Sequence, residues 1–258
     1  IEQVANEKGY SVIICLSDDT FDKEVMNMEL LAHGSTDGFI MSLSKETQYK
    51  KDFHHITEVI DQGIPVVMFD RITDEVNCDK VIIDDKKAAY EAVQYLINQG
   101  RKKIALVTTV DYVSVGKLRT DGYIKALQDN NIAFDENLII KIEDVDTCEI
   151  TISKLLADKV IDAVFAVNEL FAVTILKTAH KMNLNVPKDL AIIAFTDGII
   201  SKYSTPTITT VSQSGIKMGK KAAEILIARL ESEEDDNDEE IYKTEIIETH
   251  LIERESTD

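Results

Sequence analysis

Asp70, Asn168, Thr196 and Asp197 each stand directly after an apolar run, where a polar side chain is best placed to meet a small molecule. Asp70 follows Val66-Val67-Met68-Phe69, and its carboxylate accepts hydroxyl hydrogen bonds. Asn168 follows Phe165-Ala166-Val167 and both donates and accepts. Thr196 and Asp197 follow Ala191-Ile192-Ile193-Ala194-Phe195. In an open α/β sheet, ligands sit beyond the carboxyl ends of the strands, so these positions form a natural binding edge. Arg119 opens a helix and offers a planar donor fork suited to vicinal hydroxyls or a carboxylate. Phe165 adds an apolar face for a sugar ring or a base. Together these are the parts of a polyol or sugar site. Each also has a structural reading: Arg119 paired with Asp121 or Glu143, Asp70 paired with Arg71 or capping a loop, Asn168 and Glu169 capping a helix, Phe165 in the core.

Catalysis needs a base, a nucleophile or a metal set in a recognisable arrangement, and the sequence offers little of that kind. The histidines are His33, His54, His55, His180 and His250; His54 and His55 are adjacent, whereas a metal pair on a helix needs i,i+4 spacing. No GxSxG elbow is present. Ser214-Gly215-Ile216-Lys217-Met218-Gly219-Lys220-Lys221 has one residue too few between its glycines for a phosphate loop, and no Ser or Thr after the lysine. The acidic block 231–240 lacks the glycine and ligand periodicity of a calcium loop and reads as a solvated connection. Cys15, Cys78 and Cys148 are widely spaced without a CxxC pair, so they read as buried thiols rather than a disulfide framework or zinc site. The expectation is a binding protein that is not an enzyme and uses no metal and no cofactor.

The elements that must position these residues alternate between strand and helix. Runs at 11–16, 38–43, 65–69, 80–83, 103–108, 162–167 and 190–195 are mostly apolar on both faces, as central parallel strands are. Ala89, Val93, Leu96 and Ile97 recur at helical spacing and end at Gly100, placed for a left-handed cap. Met218, Ala222, Ile225 and Leu226 mark another amphipathic helix. This is the βαβ pattern of a parallel sheet covered by helices.

The chain has 258 residues, 44% of them hydrophobic, enough for one large core or two modest ones. No apolar run approaches the roughly 18 residues that span a bilayer, and residues 1–8 have no basic region followed by an apolar core, so a cytoplasmic protein without membrane contact is expected. With 28 basic and 47 acidic residues the net charge is −19, which repels a phosphate backbone; this chain by itself should not bind DNA.

In order along the chain come Asp37-Gly38-Phe39-Ile40, Ile64-Pro65-Val66-Val67-Met68-Phe69-Asp70-Arg71, Arg119 with Gly122-Tyr123, and Ala163-Val164-Phe165-Ala166-Val167-Asn168-Glu169. They are followed by Asn185-Val186-Pro187-Lys188-Asp189, Phe195-Thr196-Asp197-Gly198, Ser204-Thr205-Pro206-Thr207 and Leu251-Ile252-Glu253-Arg254. This series resembles the effector domain of LacI/GalR-type bacterial transcriptional regulators. The resemblance implies an α/β, two-lobed periplasmic-binding-protein-like (type I) fold, each lobe a doubly wound parallel sheet. The chain would cross between lobes near 70–78, near 211–214 and within the acidic stretch before Tyr242. One lobe would hold 1–72 and 214–236, the other 73–213 and 237–258. The family's domain opens with a central strand, whereas this sequence opens inside the first helix, so the first lobe should have a damaged core.

The same resemblance implies function. A small effector would lie in the inter-lobe cleft against Asp70, Arg119, Phe165, Asn168, Thr196 and Asp197, with Arg119 matching the family's ligand-contacting arginine. Effector binding would control DNA binding by an upstream helix-turn-helix in a homodimer. Thr196 stands where the family commonly has Asp, and Val113 and Val115 replace polar contacts of purine-responsive members, which favours a sugar or sugar derivative. Replacing Arg119 by Ala should remove effector binding and leave the fold intact. The competing reading is a solute-binding protein of a sugar transporter, which shares the architecture but requires export.

Overall fold

An apolar run becomes a strand only if another run lies beside it to take up its backbone N–H and C=O groups. The computed structural model describes residues 1–34, 36–158, 160–232 and 241–258. In chain order its elements are α1 (Glu2–Glu7), α2 (Phe21–Ala32), β1 (Phe39–Met41), α3 (Lys45–Lys50), α4 (His54–Asp61), β2 (Val66–Phe69), β3 (Asp79–Ile83), α5 (Asp85–Asn98), β4 (Ile104–Thr108) and α6 (Ser114–Asp129). There follow β5 (Ile139–Lys141), α7 (Cys148–Asp158), β6 (Ala163–Ala166), α8 (Glu169–Lys181), β7 (Ala191–Phe195), α9 (Ile199–Tyr203), β8 (Thr209–Ser212), α10 (Gly215–Glu231), β9 (Thr244–Ile247) and β10 (His250–Ile252). Among the described residues no helix is long and apolar enough to cross a membrane.

The chain forms two compact units. The first comprises Ile1–Ile83, Tyr112–Ser114 and Ser214–Ile247, and the second Asp84–Asp111, Val115–Gln213 and Glu248–Asp258. The first unit holds a parallel sheet in the order β1-β2-β3-β9. The second holds the order β10-β8-β7-β6-β4-β5, parallel except for β10, which runs antiparallel to β8. The boundaries differ from those expected. Because Val67 pairs with Asp79, residues 79–83 join the first unit although a boundary at 72 assigned them to the second. Likewise β9 pairs with β3, which draws 244–247 into the first unit. Most of the acidic block read as a solvated crossing, residues 233–240, lies outside the described residues.

The expected strand at 11–16 does not form. Among the described residues no strand lies beside it, so its backbone joins no ladder, and Ile14 and Leu16 are 80% and 74% exposed. Cys15 is consequently exposed, against the expectation of a buried thiol, whereas Cys78 and Cys148 are buried. The first unit's core instead gathers Met28, Leu43, Ile56, Val59, Val66, Met68, Val76 and Cys78. Buried Asp79 ties the returning chain to it, accepting from Arg229 Nε at 2.7 Å and from the Lys243 N–H at 2.8 Å.

In the second unit β4, β6 and β7 are buried along their whole length. Gly100 ends α5 as its sequence position suggests, at φ +89°, its N–H donating to the Ile97 carbonyl at 2.9 Å. The helix α6 is anchored by the fully buried Tyr123, whose hydroxyl donates to the Ile104 carbonyl at 2.8 Å; burial pushes that phenol's pKa up. A Cβ on Gly122 would lie 2.2 Å from the Lys86 carbonyl oxygen, so α6 meets α5 at a distance that only glycine allows.

Candidate functional site

Parallel pairing of β6 with β7 in the register Ala166↔Ala194 ends both strands at one level, so Asn168 and Thr196 emerge side by side at the carboxyl edge of the second unit's sheet. Arg119 reaches the same edge from α6. Its Nε donates to Asp85 Oδ1 at 2.7 Å, its Nη1 donates to the Val167 carbonyl at 2.7 Å, and its guanidinium carbon stands 3.7 Å from the centroid of the Phe195 ring. The two side chains of the ion pair are 6% and 4% exposed. Asp85, rather than Asp121 or Glu143, is therefore the acidic partner. Its place as the first residue of α5 puts the carboxylate where the helix dipole favours negative charge. Held by two hydrogen bonds and a ring face, the guanidinium has one orientation, and its Nη2 has no hydrogen-bond partner among the described residues.

Asn168 caps α8, its Oδ1 accepting the Phe171 N–H at 2.8 Å. The capping role accounts for the oxygen only; the side-chain N–H₂ group has no partner among the described residues. Thr196 is held at φ +78°, a region uncommon for a β-branched residue, by its N–H to the Val211 carbonyl at 2.9 Å and its hydroxyl to Gln213 Oε1 at 2.7 Å. Asp197 does not turn beside Thr196 as a free acceptor. Its Oδ1 takes Arg254 Nη2 at 2.6 Å and Thr210 Oγ1 at 2.9 Å, and its Oδ2 lies 3.1 Å from Lys202 Nζ. Burial alone would raise this carboxyl, but the hydrogen bonds from Arg254, Lys202 and Thr210 outweigh it and hold its pKa low. Phe165 is fully buried with its ring 6.3 Å from that of Phe195; it supports the edge from within the core and presents no face to a ligand.

Asp70 belongs to the first unit. It stands at the carboxyl end of β2 at φ +58°, half-buried, with its N–H donating to the Val81 carbonyl at 3.1 Å. Its neighbour Arg71 pairs instead with Asp19 at 2.7 Å.

Asp85, Phe195 and Gln213 complete the second unit's edge and were not singled out from sequence. Asp84-Asp85 after an apolar run reads as a helix cap, and Asp84 does cap α5, accepting the Lys87 N–H at 2.9 Å. Nothing local marks the second carboxylate as the partner of an arginine in another helix. Among the described residues no group of three or more His, Cys, Asp or Glu is placed to hold a metal ion. What the edge can do is bind: it presents oriented donors at the rim of an apolar sheet.

Residues 93–257 match the family described as periplasmic binding protein-like domain. The HTH-type transcriptional regulator MalR of Clostridium butyricum is 32% identical over 263 residues, which cover 99% of this chain and 75% of that protein. The fold is similar to transcription regulator CcpA of Lactococcus lactis, with a TM-score of 0.85 at 26% identity over 99% of this chain and 91% of that one. It is also similar to a LacI family transcriptional regulator from Enterococcus faecium with bound ribose, with a TM-score of 0.85 at 23% identity over 100% of this chain and 91% of that one.

Proposed function

The chain belongs to the periplasmic binding protein-like family, within the LacI-type transcriptional regulators, and from that premise we propose that it binds a small sugar or sugar derivative and thereby controls DNA binding. The carrying observation is Arg119, fixed by Asp85, the Val167 carbonyl and Phe195 while its Nη2 stays open beside Asn168 and Thr196. A guanidinium immobilised before the ligand arrives loses little further entropy on binding it. The ribose bound to the Enterococcus faecium regulator supports a sugar as the ligand class. Asp70 is carried as a further contact on the family resemblance alone.

In this reading the protein performs no chemistry and acts in the cytoplasm as a homodimer. The DNA contacts come from a helix-turn-helix outside the present sequence, since a net charge of −19 supplies no counterion-release term. The chain spans 75% of the length of MalR, itself named an HTH-type regulator. A ligand shifts a conformational equilibrium only by its differential affinity, and moving a population from 1:99 to 99:1 needs about 5.5 kcal/mol. Hydrogen bonds to a charged group at about 1.5–3 kcal/mol each can supply that if they form in one conformation only.

The test is a salt-dependent titration of duplex DNA with this chain and with the full-length protein, each with and without candidate sugars. The full-length protein should bind specifically and respond to a sugar; the chain alone should not bind. Specific DNA binding by the chain alone, or no effector response in the full-length protein, overturns the reading.

A further inference from the structure

A neutral sugar presents hydroxyls that must both donate and accept, so a site for one needs carboxylate or carbonyl oxygens open to it. At the second unit's edge, Asp85, Asp197, Glu169 and Asn168 each already receive a hydrogen bond from a protein donor. Asp85 Oδ1 receives Arg119 Nε, and Asp197 receives Arg254, Lys202 and Thr210. Glu169 Oε1 takes the Ser201 N–H at 2.6 Å, and its carboxylate lies where a Cβ on Gly198 would be. Asn168 Oδ1 is occupied by the α8 cap. Thr196 directs its hydroxyl proton to Gln213.

Two donors remain on adjacent positions: Arg119 Nη2 and Asn168 Nδ2. Both belong to the same strand end, because Arg119 Nη1 is bonded to the carbonyl of Val167, the residue before Asn168. Backbone conformation does not explain the missing acceptor at 196. At φ +78° an Asp is better tolerated than a β-branched Thr, so the position would accommodate a carboxylate more easily than the residue it has.

We propose, on the reading that this edge holds the effector, that the effector carries an anionic group received by Arg119 Nη2 and Asn168 Nδ2, making it a sugar acid or a sugar phosphate and not a neutral sugar. Carboxylate and phosphate share the chemistry of acceptor-only oxygens, and a planar guanidinium edge with a neighbouring amide serves either.

The experiment is calorimetric titration of the native chain with matched sets: glucose, gluconate and glucose 6-phosphate, then ribose, ribonate and ribose 5-phosphate. At least one anionic member should bind about tenfold or more tighter than its neutral parent, the change expected from one charge-assisted hydrogen bond. The tighter of the acid and the phosphate identifies the source of the charge. Thr196→Asp places a carboxylate at the edge and should abolish or reverse the preference, with circular dichroism confirming the fold. Asn168→Asp, which keeps the helix cap, should act in the same direction if Thr196→Asp fails to fold. Tighter binding of the neutral parents, or a preference untouched by the folded variants, overturns the anionic assignment and leaves sugar binding standing. Binding of no member of either set overturns the effector reading together with it.

Discussion

Arg119→Ala tests the site and the fold at once, and the structure changes what is to be expected of it. From sequence alone this arginine is a ligand contact whose removal carries no structural cost. In the structure it is 6% exposed and bonded to a carboxylate that is 4% exposed, so its loss strands Asp85 as a buried charge without its arginine partner. Breaking one side of a buried pair costs about 3–5 kcal/mol, and the face of Phe195 loses its cation at the same time. At about 1.4 kcal/mol per tenfold, this is between two and four powers of ten in the opening equilibrium of the second unit. Native-state hydrogen exchange on peptides covering β6 and β7 reads that quantity directly, because their amides are buried and exchange only through opening. Protection should fall by roughly two to four orders of magnitude in Arg119→Ala, and clearly less in Asp85→Asn, which retains an acceptor for Nε. Protection within about threefold of the native chain would mean that the pair is not structurally coupled to the sheet, and the account of how the donor is held would fall.

Gly122→Ala places a Cβ 2.2 Å from the Lys86 carbonyl oxygen and should destabilise by about 1–3 kcal/mol through overpacking; an unchanged thermal midpoint refutes the close approach. Asn168→Asp preserves the cap acceptor, so urea unfolding should stay within about 0.5 kcal/mol of native, whereas Asn168→Ala should lose about 1 kcal/mol. Glu149 accepts hydrogen bonds from Lys181 and Lys177, which hold its carboxyl at about 2 against an ordinary 4.5. Its folded pKa being depressed, the stabilisation is present above pH 4.5 and lost as pH falls through about 2. The thermal-midpoint gap between native and Glu149→Gln should therefore close over that acid window, and a gap independent of pH would refute the pairing.

The strand-end residues were legible because burial on both faces makes a parallel strand read as an unbroken apolar run, and the first polar residue after it marks the edge. Asn168, Thr196 and Asp70 were located that way. The register that sets Asn168 beside Thr196 was not legible, since it depends on which strand lies next to which. Asp197 was ambiguous for a similar reason: its partner Arg254 is 57 positions away in the chain. Residues 11–16 show the limit of pattern reading. Their composition is that of the runs that became β2 and β7, but a strand is a property of a pair, and whether a neighbour lies alongside leaves no trace in the run itself. Arg119 is picked out by resemblance, and its binding to Asp85 is not, because a buried ion pair between two helices leaves no periodic signal.

The exposed segment Val12-Ile13-Ile14-Cys15-Leu16 bears on how a preparation of this 258-residue chain behaves in concentrated solution. It holds no charge and no proline, is rich in β-branched residues and leaves its backbone outside any ladder, which is the profile of a segment that stacks with copies of itself. Mutual repulsion between molecules carrying −19 each opposes that contact. The opposition has a range of only about 10 Å at 0.1 M salt and shrinks to about 3 Å at 1 M. Colloidal stability of the chain should accordingly be governed by ionic strength, with an exposed thiol in the middle of the sticky stretch ready to make an encounter between two molecules covalent under oxidising conditions.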